Sequence, residues 1–244
     1  MSLYVTGDVH GDLDEFDWRL ARSGIDFVED DVLLLLGDVG LKYGDYLHYY
    51  FPSYLAELPC TVLVMRGNHD VRYWRDMVRG DYGECPEAVE WQGNVFMREA
   101  AYPNVLYVAD EGDVLTIDGH TCLAVPGAWS IDHEIRRERH LPFEPEEKLT
   151  EDERDVLLRK AAHEDVEYVF SHTCPAFWMS ELSDLLLPPG FVSEVDNSME
   201  EWLDDVLDVV SPTLRGWYFG HFHGIRDVAR GTGHLLYRNF VRVF

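Results

Sequence analysis

Lysine is nearly absent from this chain of 244 residues: only Lys42, Lys148 and Lys160 stand among 20 basic residues, against 46 acidic ones. The formal net charge of −26 repels phosphate backbones and anionic lipid surfaces. Nucleic acid and membranes are therefore disfavoured as partners, and a small or non-polyanionic substrate is favoured. A surface adapted for solubility or salt accounts for the same acidity. No stretch approaches the roughly 18 unbroken apolar residues of a membrane span. A basic-then-apolar leader is missing as well, because Leu3-Tyr4-Val5 already reads as a strand. Cysteine is sparse: Cys60, Cys85, Cys122 and Cys174 form no Cys-x-x-Cys pair, which argues against a thiolate zinc site or a disulfide framework. Reduced, buried thiols and a cytoplasmic location are the expectation. Internal repeats, low-complexity segments and linkers are also lacking, so the expectation is one domain over 1–244.

What is present is an alternation of apolar runs and helical patterns. Val32-Leu33-Leu34-Leu35-Leu36 has no polar break, which suits a strand buried on both faces. Shorter strands are predicted over 3–6 and 61–65. Helices are predicted over 13–22, with Asp12 as N-cap and Gly24 as stop, over 45–58, with Pro52 kinking or splitting it, and over 71–78. Strand, helix, strand, helix, strand is the signature of a parallel sheet with covered faces.

Residues 80–103 read as irregular. Short strands follow over 105–108, 114–117 and 121–125, with Asp118-Gly119 as a hairpin turn. The charged stretch 130–149 reads as loop and short helix, and Thr150 with Glu153 forms a capping box for a helix to about residue 162. A strand over 166–170, a loop over 175–197 around Pro188-Pro189-Gly190, an acidic helix over 198–209 and strands over 216–219, 225–228 and 235–244 complete the pattern. The second half thus supplies a second sheet, packed on the first.

Each strand empties into a polar cluster: Asp8-x-His10, Gly37-Asp38, Gly67-Asn68-His69-Asp70, His172, and Gly220-His221-x-His223. Ligands gather at the carboxyl ends of strands in α/β sheets, so these clusters should lie side by side. Carboxylate, amide oxygen and imidazole donors suit Mn²⁺, Fe or Zn²⁺. A carboxylate such as Asp38 can bridge two cations about 3.5–4 Å apart. Singly, each motif has a plain alternative, a turn for Gly-Asp or a structural role for His172; together they carry the metal reading. Asp12 and Asp14 read as cap and surface residues. Asp204, Asp205 and Asp208 read as a solvated helix face, and Trp74, Trp91, Trp178 and Trp202 as packing. His120, His133, His140, His163 and His234 read as surface residues.

In this order the clusters resemble the calcineurin-like metallophosphoesterase superfamily, from Asp8 to His223. The resemblance implies two packed mixed β-sheets flanked by helices, an α/β sandwich of four layers, αββα. It also implies a hydrolase with two divalent ions, Mn²⁺ first and Fe or Zn²⁺ as alternatives. By position, Asp8, His10, Asp38 and His223 would bind the first ion. Asp38, Asn68, His172 and His221 would bind the second. His69 would be the general acid, with Asp70 orienting it, while a bridging hydroxide attacks phosphorus.

The protein Ser/Thr phosphatase branch extends Gly-Asp to G-D-x-x-D-R-G. Here Leu41 and Lys42 stand where that branch has Asp and Arg, which counts against that activity. The run Gly127-Ala128-Trp129-Ser130-Ile131-Asp132 resembles a segment of small bacterial and phage metallophosphoesterases that precedes an arginine. Arg136 and Arg137 are the corresponding substrate-binding candidates. The expected function is hydrolysis of a phosphomonoester or phosphodiester of a small substrate. The alternatives are a protein phosphatase, a nuclease, or a non-catalytic scaffold, the last disfavoured because no ligand position is lost.

Overall fold

The computed structural model describes residues 1–41, 44–80, 86–140, 146–186 and 195–244, with the backbone alone over 44–50. Lys42, Tyr43, Cys85 and Pro188-Pro189-Gly190 lie outside the described residues. The first part alternates as the periodicity predicts: β1 (Leu3–Thr6), α1 (Leu13–Ser23), β2 (Val32–Leu36), α2 (Gly44–Glu57), β3 (Thr61–Met65) and α3 (Tyr73–Arg79). Asp12 caps α1 by accepting from the Glu15 N–H at 3.1 Å, and Gly24 ends it in the left-handed conformation. Pro52 sits inside α2 without splitting it.

The second part holds β4 (Pro86–Trp91), β5 (Asn94–Glu99), β6 (Val105–Tyr107), β7 (Asp113–Ile117) and β8 (His120–Val125). It continues with α4 (His133–Glu138), α5 (Glu151–Ala161), β9 (Tyr168–Ser171), a 3₁₀ turn (Ala176–Leu182) and α6 (Ser198–Val210). The strands β10 (Gly216–Phe219), β11 (Arg226–Val228), β12 (Gly233–Leu235) and β13 (Val241–Arg242) end the chain. The Thr150/Glu153 capping box forms as expected at the start of α5.

These strands make two mixed sheets, ordered β13-β1-β2-β3-β6-β5-β4 and β11-β12-β10-β9-β8-β7. The apolar run of β2 explains how they stack. Val32, Leu34 and Leu36 face an inner core shared with Leu115, Ile117, Phe170 and Tyr218 of the other sheet. Leu33 and Leu35 face an outer core with Phe16 of α1 and Phe51 and Leu55 of α2. On the far side, Val169, Trp217 and Phe219 pack against Leu157 of α5 and Leu203 and Val206 of α6. The result is four layers, αββα. A strand between two packed layers must be apolar at every position, and all of β2 is buried. Each such leucine contributes about 1.5–3 kcal/mol on burial.

Two expectations are corrected. Residues 86–99 are not irregular: β4 and β5 pair as an antiparallel hairpin with Trp91 opposite Asn94. Gln92 and Gly93, at φ 51° and 79°, make the two-residue turn whose twist suits a hairpin. The pattern was hidden because β4 is an acidic edge strand with little buried surface. The single strand expected over 235–244 is two strands in different sheets: β12 pairs with β10, whereas β13 returns to pair with β1. The chain turns between them at Arg238, which is left-handed at φ 56°.

Candidate metal centre

β1, β2 and β3 run parallel, and so do β9 and β10 in the other sheet. Their carboxyl ends bring together Asp8, Asp38, Asn68, His172, His221 and His223. The loops leaving β1 and β2 run side by side: the Asp8 N–H donates to the Gly37 carbonyl at 3.2 Å, the His10 N–H to the Asp38 carbonyl at 2.7 Å. Asp8, His10, Asp38, His221 and His223 all have positive φ, between 48° and 70°. Strain of this kind persists only where the surroundings over-determine it, and it clusters at functional sites.

The glycines of the motifs are required by close approach. A Cβ on Gly67 would lie 2.1 Å from Asp38 Oδ1, and one on Gly220 would lie 2.3 Å from Asp8 Oδ2. Without side chains at these positions, the carboxylates lie flat against the neighbouring strand ends.

The donors divide into two sets that meet at Asp38. Asp8, His10, Asp38 and His223 each offer an atom within 4.8 Å of the others. In this set His10 Nε2 is 3.8 Å from Asp38 Oδ2, and His223 Nε2 is 3.7 Å from Asp8 Oδ1. In the second set, Asn68 Oδ1 lies 2.7 Å from His172 Nε2 and 3.0 Å from His221 Nδ1. His172 Nε2 is also 3.5 Å from Asp38 Oδ1. The two oxygens of one carboxylate therefore serve different donor sets. His172 is fixed from behind: its Nδ1 donates to the Leu36 carbonyl at 2.8 Å, so Nε2 is the nitrogen turned towards the site, where it would ligate once deprotonated by an ion.

Charge in this site is unbalanced. Asp8 and Asp38 are fully buried. Burial, reinforced by the Asp38 charge, pushes Asp8 up to about 8. Burial also acts on Asp38, but the facing His172 overcomes it and holds Asp38 below the usual carboxylate range. Burial opposes a charged His172, yet the Asp38 carboxylate wins and raises it to about 9. Burial lowers His10 to about 4 and, with the nearby His172, lowers His221 to about 3. His172 compensates Asp38 alone, so Asp8 cannot ionise as well without added positive charge. Divalent ions held by oxygen and nitrogen donors fit this deficit.

His69 sits at the rim of this set. Its backbone N–H donates to Asp38 Oδ1 at 2.9 Å, and its ring centroid is 5.9 Å from that of His10. Asp70 does different work from its neighbour. Its oxygens accept the backbone N–H groups of Val39, Gly40 and Gly67 at 2.9–3.0 Å, tying the loop after β2 to the loop after β3. Arg136 and Arg137 lie on α4, where they pair with Asp132 and Glu134.

Sequence reasoning missed several residues around the centre. Glu147, in the charged stretch, is buried and bonds Ser130 and His133, so His133 is not the surface residue expected. Tyr237 stacks on the His223 ring with centroids 4.8 Å apart. Arg238 donates from Nε to the Asp8 carbonyl at 3.1 Å and from Nη1 to Asp12 at 3.2 Å. None of these belongs to a Gly-flanked cluster at a strand end, the signal that exposed the others.

No curated protein matches the chain. Among solved structures, TT1561 of Thermus thermophilus aligns over 99% of this chain and 97% of its own, at 13% identity and a TM-score of 0.51. Phosphopantetheinyl hydrolase from Mycobacterium tuberculosis aligns over 97% and 88%, at 16% identity and a TM-score of 0.48. At such identities the first likeness concerns the fold alone, and the second is too loose to add to it. The family model of the calcineurin-like phosphoesterases, in contrast, matches residues 1–224, which includes every cluster from Asp8 to His223. The chain belongs to the calcineurin-like phosphoesterases.

Proposed function

We propose that this protein hydrolyses a phosphomonoester or phosphodiester of a small substrate with two divalent ions, Mn²⁺ foremost and Fe or Zn²⁺ as alternatives. The family implies metal-dependent phosphoester hydrolysis. The observation that carries the two-ion reading is the division of Asp38: Oδ2 faces His10 and Oδ1 faces His172. Asp8, His10, Asp38 and His223 would hold one ion, and Asp38, Asn68, His172 and His221 the other. When bound, the ions supply positive charge for the phosphate oxygens and acidify a water towards neutral pH.

The chain's own side chains do the rest. Leu36, by accepting from His172, keeps that ring in the tautomer a ligand needs. Asp70 holds the loops carrying Asp38 and Asn68 in register, a positioning task rather than a chemical one. His69, anchored through its backbone on Asp38, is the group we assign to protonate the departing oxygen. Arg136 and Arg137 are assigned to the substrate's remote charge.

The net charge of −26 supports a small substrate over a polynucleotide. Leu41 is buried in the outer core at the position where the protein Ser/Thr phosphatase branch carries Asp, which counts against that specificity. Cys60, Cys122 and Cys174 are free and buried, which supports a reducing, cytoplasmic setting. No helix among the described residues is long and apolar enough to cross a membrane.

The test is hydrolysis of p-nitrophenyl phosphate and its bis-ester with added Mn²⁺. Metal-dependent cleavage of either, abolished by a chelator and by Asp38→Asn, is the expected result. Their ratio separates monoesterase from diesterase. Failure to bind Mn²⁺ or to cleave either ester would refute the reading.

A further inference from the structure

We infer that Glu147 and Ser130 are positioning residues that set the direction of the Asn68 amide, and so decide whether the second donor set can hold its ion. The inference rests on the two-ion reading above and assigns a cause to one half of it.

Asn68 is a ligand only through its oxygen. Its amide is nearly symmetric in shape, so turning it by half a rotation would aim an NH₂ at His172 and His221 instead of Oδ1. Something must choose. In this structure Asn68 Nδ2 donates to Ser130 Oγ at 2.7 Å, while Oδ1 faces the two imidazoles. Ser130 Oγ in turn donates to Glu147 Oε2 at 2.6 Å. A hydroxyl has one proton. Because a carboxylate only accepts, that proton goes to Glu147, and the oxygen is left as an acceptor towards Asn68. The sense of each bond follows from the one before it: carboxylate, hydroxyl, amide, ion site.

The start of this chain of bonds is itself held firmly. Asn68, Ser130 and Glu147 are 2–3% exposed, so water does not compete for their bonds. Glu147 Oε1 accepts the Ser130 backbone N–H at 3.0 Å and His133 Nδ1 at 3.1 Å. The Glu147 carbonyl accepts from Arg66 Nη1 at 2.8 Å, and Arg66 lies two residues before Asn68 in the chain. Gly127 leaves room for this approach, since a Cβ there would lie 2.3 Å from the same carbonyl. Three distant segments thus converge on one amide.

Replacement of Glu147 by glutamine breaks the logic without removing bulk. If the new NH₂ faces Ser130 Oγ, the hydroxyl turns its proton on Asn68 and favours the flipped amide. If it faces the Ser130 N–H and His133, donors oppose donors. The first orientation satisfies every partner and is the one adopted, so the preference for Oδ1 at the ion site weakens.

The experiment is a Mn²⁺ titration of wild type, Ser130→Ala, Ser130→Thr and Glu147→Gln. Ions bound per chain are counted by equilibrium dialysis, and the coupling between ions is read by EPR. The expected result is one ion bound as in wild type, within about twofold, which also reports a folded site. The other ion is weakened about 10–100-fold in Ser130→Ala and Glu147→Gln, the range for lost outer hydrogen bonds to metal ligands. Ser130→Thr keeps the hydroxyl and stays near wild type. The inference is overturned if Ser130→Ala and Glu147→Gln bind both ions like wild type, if they weaken both ions equally, or if Ser130→Thr is as weak as Ser130→Ala. A wild-type protein that binds no ion sinks the metal reading itself, before any variant is compared.

Discussion

Nε2 of His10 lies 3.0 Å from Nε2 of His223, although the residues are 213 positions apart and follow strands, β1 and β10, of opposite sheets. Burial holds both imidazoles below their usual protonation range. Two neutral rings turned nitrogen to nitrogen, flanked by Asp8 and Asp38, form a site short of positive charge. An ion that binds the folded chain and not the unfolded one adds stability by mass action. Mn²⁺ at a hundred times its dissociation constant should add about 2.7 kcal/mol, raising Tm by about 5–10 °C. Thermal melting with Mn²⁺ and then with excess chelator checks this; a Tm indifferent to both contradicts it.

His69→Ala separates chemistry from binding. His69 touches the centre through its backbone N–H, which alanine retains. Both ions should stay bound, while kcat falls by about 10²–10⁴. Full turnover in this variant would remove His69 from the mechanism.

The motif glycines give a contrast within one residue type. Gly67→Ala places a Cβ 2.1 Å from Asp38 Oδ1, against a rigid neighbour, whereas at Gly93 nothing lies within 4 Å. Gly67→Ala should weaken Mn²⁺ binding at least tenfold. Gly93→Ala, at φ 79°, should cost about 1 kcal/mol of stability and leave Mn²⁺ binding unchanged. Titration and melting of the two variants side by side decide whether close approach, rather than backbone freedom alone, makes Gly67 necessary.

Arg136→Ala and Arg137→Ala test substrate grip. Both arginines are paired within α4, with Asp132 and Glu134. If either also meets substrate, its loss should raise KM severalfold with kcat and metal content held. An unchanged KM in both variants would leave these residues as helix surface.

Much of this arrangement was legible in the residues because packing leaves a mark on them. β2 lies between two layers, so all its positions are apolar, and the chain must turn abruptly where the layers end, at Gly37. The same reasoning located Asp8, Asn68, His172 and His221 at neighbouring strand ends. Glu147 left no such mark: a buried acid amid a charged run looks like the solvated acids around it, and only the fold shows that Ser130 and Arg66 enclose it. The hairpin over 86–99 was hidden because β4 is half exposed and carries glutamates where a core strand would carry leucines. The split of the last strand was hidden because its turn, at Arg238, uses a residue with no conformational bias towards positive φ.

The central claim is that Asp38 would be held in common by two ions, one on its His10 side and one on its His172 side. The most direct measurement is the EPR spectrum of the protein loaded with Mn²⁺, together with the ions bound per chain, for wild type and Asp38→Asn. The account predicts two ions with an exchange-coupled signal in wild type, and loss of that coupling with weakened binding of both ions in Asp38→Asn. A single ion, or two uncoupled ones that the substitution leaves untouched, would contradict it.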